Sequence, residues 1–155
     1  MKSLLSQDES NNLYEPDYPD YFVDKHHPDD YKISKVPIQP ESIYHKKTDH
    51  NRIMIRLSTQ IGPEMFIPIT FTCDTGAPSF LYLNKLSQRL LKSRIIVGDV
   101  GNEYIYIGEK RFLVKTPPEL HGDINIIGLK ALFAFGLWLN HETEQLCFTN
   151  LPNYI

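Results

Sequence analysis

The sequence has few of the features that mark secreted, membrane-spanning or nucleic-acid-binding proteins. Its 155 residues include only two cysteines, Cys73 and Cys147, which are too few for a disulfide framework. The longest apolar stretch, residues 124–139, is interrupted by Asn125 and Lys130, and it falls short of the roughly 20 residues that a membrane-spanning helix needs. The formal net charge is −3, so bulk charge does not favour binding to nucleic acid or to a membrane surface.

The amino terminus shows no signal-peptide pattern. It lacks the run of roughly 7–15 apolar residues on which a cleavable signal depends, and the sequence contains no N-glycosylation site. Hydrophobic residues nevertheless make up 41% of the chain, which suffices for a folded core. We therefore expect a soluble protein in a reducing, intracellular (cytoplasmic) setting, with neither a membrane nor nucleic acid as a partner.

The composition divides the chain near residue 50. Residues 1–50 are acidic and rich in tyrosine and proline, and no period of 2 or 3.6 residues persists there. We predict that this part is an arm that is flexible, lies over a partner surface, or covers a cleft as a pro-segment does. Residues 51–155 are predicted to form the folded domain.

The pattern after residue 50 is mostly that of strands. Alternating apolar residues on both sides of a Gly-Pro turn predict a β-hairpin over residues 52–72, with Pro68 at an edge or a bulge. Leucines at helical spacing after residue 83 allow a short helix, and the segment 129–135 predicts one that ends before Gly136. Further β-prone segments predict strands at 95–97, 104–107, 112–114 and 124–127 and a final hairpin over 137–148. We predict an all-β fold with one short helix.

The tetrapeptide Asp74-Thr75-Gly76-Ala77 is the most informative motif. Taken alone, Asp-Thr-Gly after a strand is a common turn, in which Asp accepts backbone N–H groups and Gly adopts a positive φ. The preceding strand is apolar, however, and a carboxylate in such surroundings is costly to bury without a purpose. Both interpretations, a turn and a functional carboxylate, are compatible with the sequence.

Other candidate sites are weaker. His26 and His27, followed by Asp29 and Asp30, have metal-binding side chains, but they lie in the irregular arm and we interpret them as a solvated polar tract. Cys73 has no histidine at a spacing typical of a nucleophilic pair. The sequence contains no phosphate-binding loop, dinucleotide fingerprint or zinc spacing, and we expect neither a metal nor another cofactor.

Two segments together resemble the retropepsin family, the retroviral-type aspartic proteases of viruses and retroelements and their cellular relatives. The first is Asp74-Thr75-Gly76-Ala77 after a strand hairpin. The second is the run Asn125-Ile126-Ile127-Gly128 before a short helix. The resemblance covers residues 51–150. It implies a closed retropepsin-like β-barrel in which each chain supplies half of an active site.

The resemblance also implies an activity and a partner. Such a chain is an aspartic endopeptidase that acts as a homodimer on a peptide or protein substrate. Asp74 from the two subunits would share one proton, and the pair would activate a water molecule that hydrolyses the peptide bond. Neither a metal nor a covalent intermediate is required.

The same resemblance assigns supporting roles. Thr75 would donate a hydrogen bond across the dimer axis, while Gly76 and the main chain of Ala77 would border the substrate. Gly76 also has the simpler role of a turn glycine, and both roles are compatible. The strand residues Ile126 and Ile127, together with Gly128, would support the loop structurally.

This sequence departs from the retropepsin pattern in two places. Pro78 and Leu129 replace an acidic residue and an arginine that pair near the dimer interface of many retroviral enzymes. The segment that would form the substrate-covering flap is short and has its tip at Gly98-Asp99-Val100-Gly101, where an ordinary tight turn is an equal alternative. The second hypothesis is therefore a catalytically inactive module that keeps the retropepsin fold for dimerisation or peptide binding.

Overall fold

The computed structural model describes residues 27–47, 50–119, 122–142, 145–152 and 154. These residues form ten strands and two α-helices. The strands are β1 (Glu41–Lys47), β2 (His50–Gly62), β3 (Met65–Cys73), β4 (Leu81–Tyr82), β5 (Ile96–Val97), β6 (Glu103–Ile107), β7 (Lys110–Lys115), β8 (Asn125–Ile127), β9 (Leu137–Asn140) and β10 (Gln145–Phe148). The helices are α1 (Lys85–Leu90) and α2 (Leu129–Ala134).

The predicted β-rich fold is confirmed, and the expectation of a single helix is wrong. Helix α1 forms because the side chain of Asn84 caps its first turn by accepting a hydrogen bond from the backbone N–H of Ser87. Helix α2 ends at the predicted place, where Gly136 adopts a φ of +67° after the last turn. Each helix has six residues, so the strands dominate the fold.

Eight strands form one sheet in the order β1-β2-β3-β8-β4-β7-β6-β5, and β9 pairs with β10 in a second, two-stranded sheet. The predicted hairpins over residues 52–72 and 137–148 are confirmed as the antiparallel pairs β2–β3 and β9–β10. Strands β2 and β6 stand far apart in the strand order and yet are in contact. The large sheet therefore curls into a half-barrel.

The main core fills the inside of this curl. Apolar side chains of β2, β3, β6, β7 and α2 meet there, and the aromatic rings of Phe112 and Phe148 pack against Phe135 at centroid distances of 5.2 Å and 6.3 Å. Every residue of β3 after Met65 is buried. Both faces of this strand are therefore covered, which places β3 at the centre of the fold.

The described part of the amino-terminal arm packs against the sheet. Strand β1 pairs with β2 along its whole length, and Ser34 forms a β-bridge with Phe66. The expectation of no regular structure before residue 50 is therefore wrong for β1, which begins directly after the last proline of the arm, Pro40. The predictions for residues 1–26, including His26, concern residues outside the described ranges.

The described residues contain no helix that is both long enough and apolar enough to cross a membrane.

The packing predicts a large loss of stability when Phe135 is truncated. Phe135→Ala removes a fully buried ring from the core, and we expect the free energy of unfolding to fall by about 3–5 kcal/mol. Phe133→Ala is the matched control, since Phe133 lies in the last turn of α2, two residues before Phe135, and is largely exposed, so that its loss should change stability by less than about 0.5 kcal/mol. Chemical denaturation measures both values, and equal losses would contradict the packing described here.

Candidate active site

Three strands meet around the predicted catalytic loop. Strand β3 ends at Cys73, and the chain returns as β4 after the loop 74–80. Strands β3 and β4 are not neighbours, because β8 lies between them, parallel to β3 and antiparallel to β4. The loop must therefore pass across the end of β8, which brings the two sequence motifs together.

Asp74 is held in this loop by its backbone and by its carboxylate. Its backbone N–H donates a hydrogen bond to the carbonyl oxygen of Ile127, at 2.9 Å, and its Oδ1 accepts one from the N–H of Gly76, also at 2.9 Å. The N–H of Ala77 donates to the carbonyl of Asp74 at 3.2 Å. The tetrapeptide thus forms a turn in which Asp74 accepts a backbone N–H group, as its sequence suggests, but the expected positive φ at the glycine is wrong, because Gly76 does not adopt one. The turn leaves Asp74 only 7% exposed.

Burial raises the pKa of the Asp74 carboxyl above its ordinary value of 3.8. The backbone N–H groups of Gly76 and Ala77 favour the ionised form and oppose this effect, but burial is the larger influence. Asp74 consequently holds a proton to a higher pH than an exposed aspartate does. A carboxyl group with this property suits acid–base chemistry.

Gly128 sets how closely β8 approaches the loop. Its N–H donates to the carbonyl of Phe80 at 2.7 Å, and the N–H of Leu129 donates to the carbonyl of Ala77 at 2.7 Å. A Cβ atom at residue 128 would overlap the carbonyl oxygen of Ser79 and would lie 2.8 Å from that of Ala77. Only glycine fits here without a shift of the backbone.

A second, smaller apolar cluster borders the loop. Tyr82, Ile124 and Ile126 are buried together, and Ala77 packs against them. Since side chains alternate along a strand, Ile126 faces this cluster while Ile127 faces the main core. The predicted catalytic loop therefore lies between two apolar regions.

The predicted site residues differ in their exposure. Thr75 and Ala77 are half-buried and Gly76 is exposed, so the loop presents part of its backbone to solvent next to the buried Asp74. Ile126 and Ile127 are buried in β8. The structure thus brings all of the predicted loop and second-motif residues together at the ends of the neighbouring inner strands β3 and β8.

The candidate flap is an exposed hairpin tip. Strand β5 pairs with β6, and the N–H of Gly98 closes the turn by donating to the carbonyl of Asn102 at 2.7 Å. Val100 has a φ of +54° and is 94% exposed, and Gly101 follows with a φ of +77°. The segment is therefore a hairpin, and its first strand has only two residues.

Sequence reasoning missed a buried polar network behind the site. Asn125, in β8, accepts hydrogen bonds at its Oδ1 from the backbone N–H of Asn84 and from the hydroxyl of Ser87, and its Nδ2 donates to the hydroxyl of Tyr31. Asn84 and Ser87 are three residues apart, so their helix-capping contact is visible in the local sequence. Tyr31 and Asn125 are 94 positions apart, and no local pattern connects them.

The other chemically reactive candidates find no support in the described residues. No three His, Cys, Asp or Glu side chains of the described ranges come together in a way that could hold a metal ion. Burial raises the pKa of the Cys73 thiol to about 12, so Cys73 is protonated at neutral pH and is a poor nucleophile.

Comparison with models of protein families, with curated proteins and with solved structures found no match.

The contact at Gly128 predicts that Gly128→Ala destabilises the protein. The added methyl group meets backbone oxygens that cannot move independently, and we expect a loss of about 1–3 kcal/mol in the free energy of unfolding. Gly62→Ala is a matched control, because its Cβ would meet only the flexible side chain of Met65, at 3.2 Å. Equal effects of the two substitutions on denaturant unfolding would contradict the close approach of β8 to the loop.

The raised pKa of Asp74 predicts how stability depends on pH. Between the ordinary value of 3.8 and the raised pKa, the folded state binds more protons at Asp74 than the unfolded state does, so this group lowers stability as the pH rises through that window. Asp74→Asn keeps an acceptor for the Gly76 N–H but carries no charge. We expect this variant to melt at a higher temperature than the wild type at neutral pH, with the difference vanishing below about pH 3.8.

Thermal unfolding from acidic to neutral pH measures this difference. A variant that is less stable than the wild type at neutral pH would show that the carboxylate is favourably solvated in the fold.

Proposed function

We propose that this protein is an aspartic endopeptidase that acts as a homodimer and closes into a retropepsin-like barrel. The observation that carries the proposal is the position of Asp74. It is a nearly buried carboxyl in an Asp-Thr-Gly-Ala turn, held by its backbone to Ile127, the last residue of a strand that Gly128 follows. A simple surface turn would leave its aspartate in water.

The reaction needs two carboxyl groups, and one chain supplies one of them. In the dimer, the two Asp74 side chains share one proton, because like charges at contact distance cannot both ionise cheaply. The ionised Asp74 removes a proton from a bound water molecule, which attacks the peptide carbonyl. The protonated Asp74 donates a hydrogen bond to that carbonyl and stabilises the tetrahedral intermediate. The C–N bond then breaks, and the leaving amine takes a proton from the pair.

Exposed apolar residues support a dimer. Trp138 and Leu139 are adjacent in β9 and are 47% and 67% exposed, so both faces of this strand present a large apolar side chain to solvent. The sheet that contains β9 has only two strands, and such a sheet is marginal without further packing. A second copy of the chain packed on β9 would cover these side chains.

The surroundings of the loop favour an extended, apolar peptide as the substrate. The cluster of Tyr82, Ile124 and Ile126 lies next to Ala77, and the exposed backbone at Gly76 offers hydrogen-bonding groups to a peptide strand. The hairpin tip at residues 98–101 is the segment available to cover that peptide.

The alternative is an inactive dimerisation or peptide-binding module with the same fold. The observation that favours it is the short first strand of the candidate flap, with its two residues, because a small cover excludes water poorly from the reacting bond.

Cleavage of a peptide library from acidic to neutral pH tests the proposal. We expect cleavage by the wild type, inhibition by a transition-state analogue of aspartic proteases, and a loss of turnover of at least about 100-fold in Asp74→Asn. Glu109→Gln is the control for loss of a carboxylate, since Glu109 is exposed in the turn between β6 and β7.

Two results would contradict the proposal that the protein is an aspartic endopeptidase. Undiminished cleavage by Asp74→Asn would assign the activity to another group or to a contaminant. A wild-type dimer that binds peptides as well as Asp74→Asn does, and cleaves none of them, would favour the binding module.

A further inference from the structure

The amino-terminal arm lies along the edge of β3 that β8 leaves open. Strand β8 pairs with β3 only from Phe71 onward. Before that point, Ser34 exchanges two backbone hydrogen bonds with Phe66, at 2.9 Å and 2.8 Å, and the N–H of Tyr31 donates to the carbonyl of Pro68 at 2.9 Å. The arm thus continues the sheet up to the place where β8 begins.

Asp30 fixes the arm to β3, and the interpretation of this residue as part of a solvated polar tract is wrong. Its side chain is 2% exposed, and its carboxylate accepts hydrogen bonds from the N–H and the hydroxyl of Thr70, at 3.1 Å and 3.0 Å. The carboxylate also pairs with buried Arg56 at 3.4 Å and accepts a bond from the N–H of His27 at 3.2 Å. Thr70 is in β3, four residues before Asp74, and Asp74 directly follows the end of that strand. This contact therefore holds the strand that leads into the candidate catalytic residue.

Tyr31 fixes the same arm to β8. Its hydroxyl accepts a hydrogen bond from Nδ2 of Asn125 at 3.0 Å and lies 2.8 Å from the hydroxyl of Ser87. Tyr31 has a φ of +67°, a left-handed conformation that a bulky residue rarely adopts and that persists where the surrounding contacts impose it. The conformation turns the chain so that adjacent residues hold two different strands.

Both contacts hold strand residues that lie close to Asp74. Asn125 is opposite Phe71 in the parallel pair, and two residues further along β8 the carbonyl of Ile127 accepts the backbone hydrogen bond of Asp74. The arm therefore holds, from behind, the two strands whose ends define the position of the carboxyl.

We propose that Tyr31 is a positioning residue of the active site, which it supports through Asn125 and β8. This inference rests on the proposed function. It also means that residues 27–34 are part of the catalytic unit and are not a removable pro-segment, so that any activating cleavage falls before residue 27.

Tyr31→Phe tests the inference in the full chain, because it keeps the ring and removes only the hydroxyl. Tyr154→Phe is the matched control. The hydroxyl of Tyr154 accepts a hydrogen bond from the N–H of Ser58 at 2.9 Å, in β2 and away from the loop. Each substitution removes one partly buried hydroxyl. The Tyr31 hydroxyl contacts Asn125 in β8 and also Ser87 and Asn84, whereas the Tyr154 hydroxyl contacts Ser58 in β2.

Steady-state kinetics is the first measurement. We expect kcat of Tyr31→Phe to fall about tenfold with KM changed less than about twofold, since a small misplacement of the carboxyl slows the chemical step. Tyr154→Phe should keep both constants within about twofold of the wild type. Equal losses in the two variants, or an unchanged kcat in Tyr31→Phe, would overturn the inference.

Amide hydrogen exchange is the second measurement, and it needs no activity. We expect the Asp74 and Gly128 amides to exchange about tenfold faster in Tyr31→Phe than in Tyr154→Phe, because the two contacts between β8 and the loop are loosened. Unchanged exchange at both amides would overturn the positioning role. If the wild type cleaves no peptide, the proposed function fails, and the exchange result alone decides the role of Tyr31.

Discussion

The structure depends on one close contact, in which the end of β8 passes against the loop that follows β3. Gly128 makes this contact without a side chain, and the carbonyl of Ile127 accepts the backbone hydrogen bond of Asp74. Because β8 separates β3 from β4, the loop has to cross over it, and the crossing fixes where Asp74 lies. A larger residue at position 128 would separate the two motifs. Backbone packing thus fixes the position of the Asp74 carboxyl, and that position in turn raises its pKa.

Two opposing influences then set the proton affinity of Asp74. Burial between apolar regions disfavours the charged form, while the N–H groups of Gly76 and Ala77 favour it, and burial is the stronger. In the proposed dimer, the carboxylate of the partner subunit raises the pKa of one Asp74 of the pair further, as burial does. A site arranged in this way holds one proton over a range of pH, which is the condition that a shared general acid and general base require.

Local patterns in the sequence predict the elements better than they predict their assembly. The turn after β2, the apolar run that ends at Gly128 and the glycine after α2 are local signals, and the structure contains the corresponding hairpin, strand and helix end. The polar residues Arg56 and Ser58 alternate with apolar residues in β2 and are nevertheless buried, because Asp30 and the N–H of Ile38 in the arm bind them. No periodic pattern of residues in the arm predicts these contacts, because each contact depends on a single side chain that binds a residue far away in the sequence.

The central claim is that catalysis requires Asp74 from two chains, and mixing the wild type with Asp74→Asn tests it most directly. At a fixed total concentration and after complete subunit exchange, only dimers of two wild-type chains carry both carboxylates. We expect an equal mixture to retain about one quarter of the activity of the undiluted wild type, because activity follows the square of the wild-type fraction. Retention of about one half, in proportion to the wild-type fraction, would contradict a shared active site and would show that each chain acts alone.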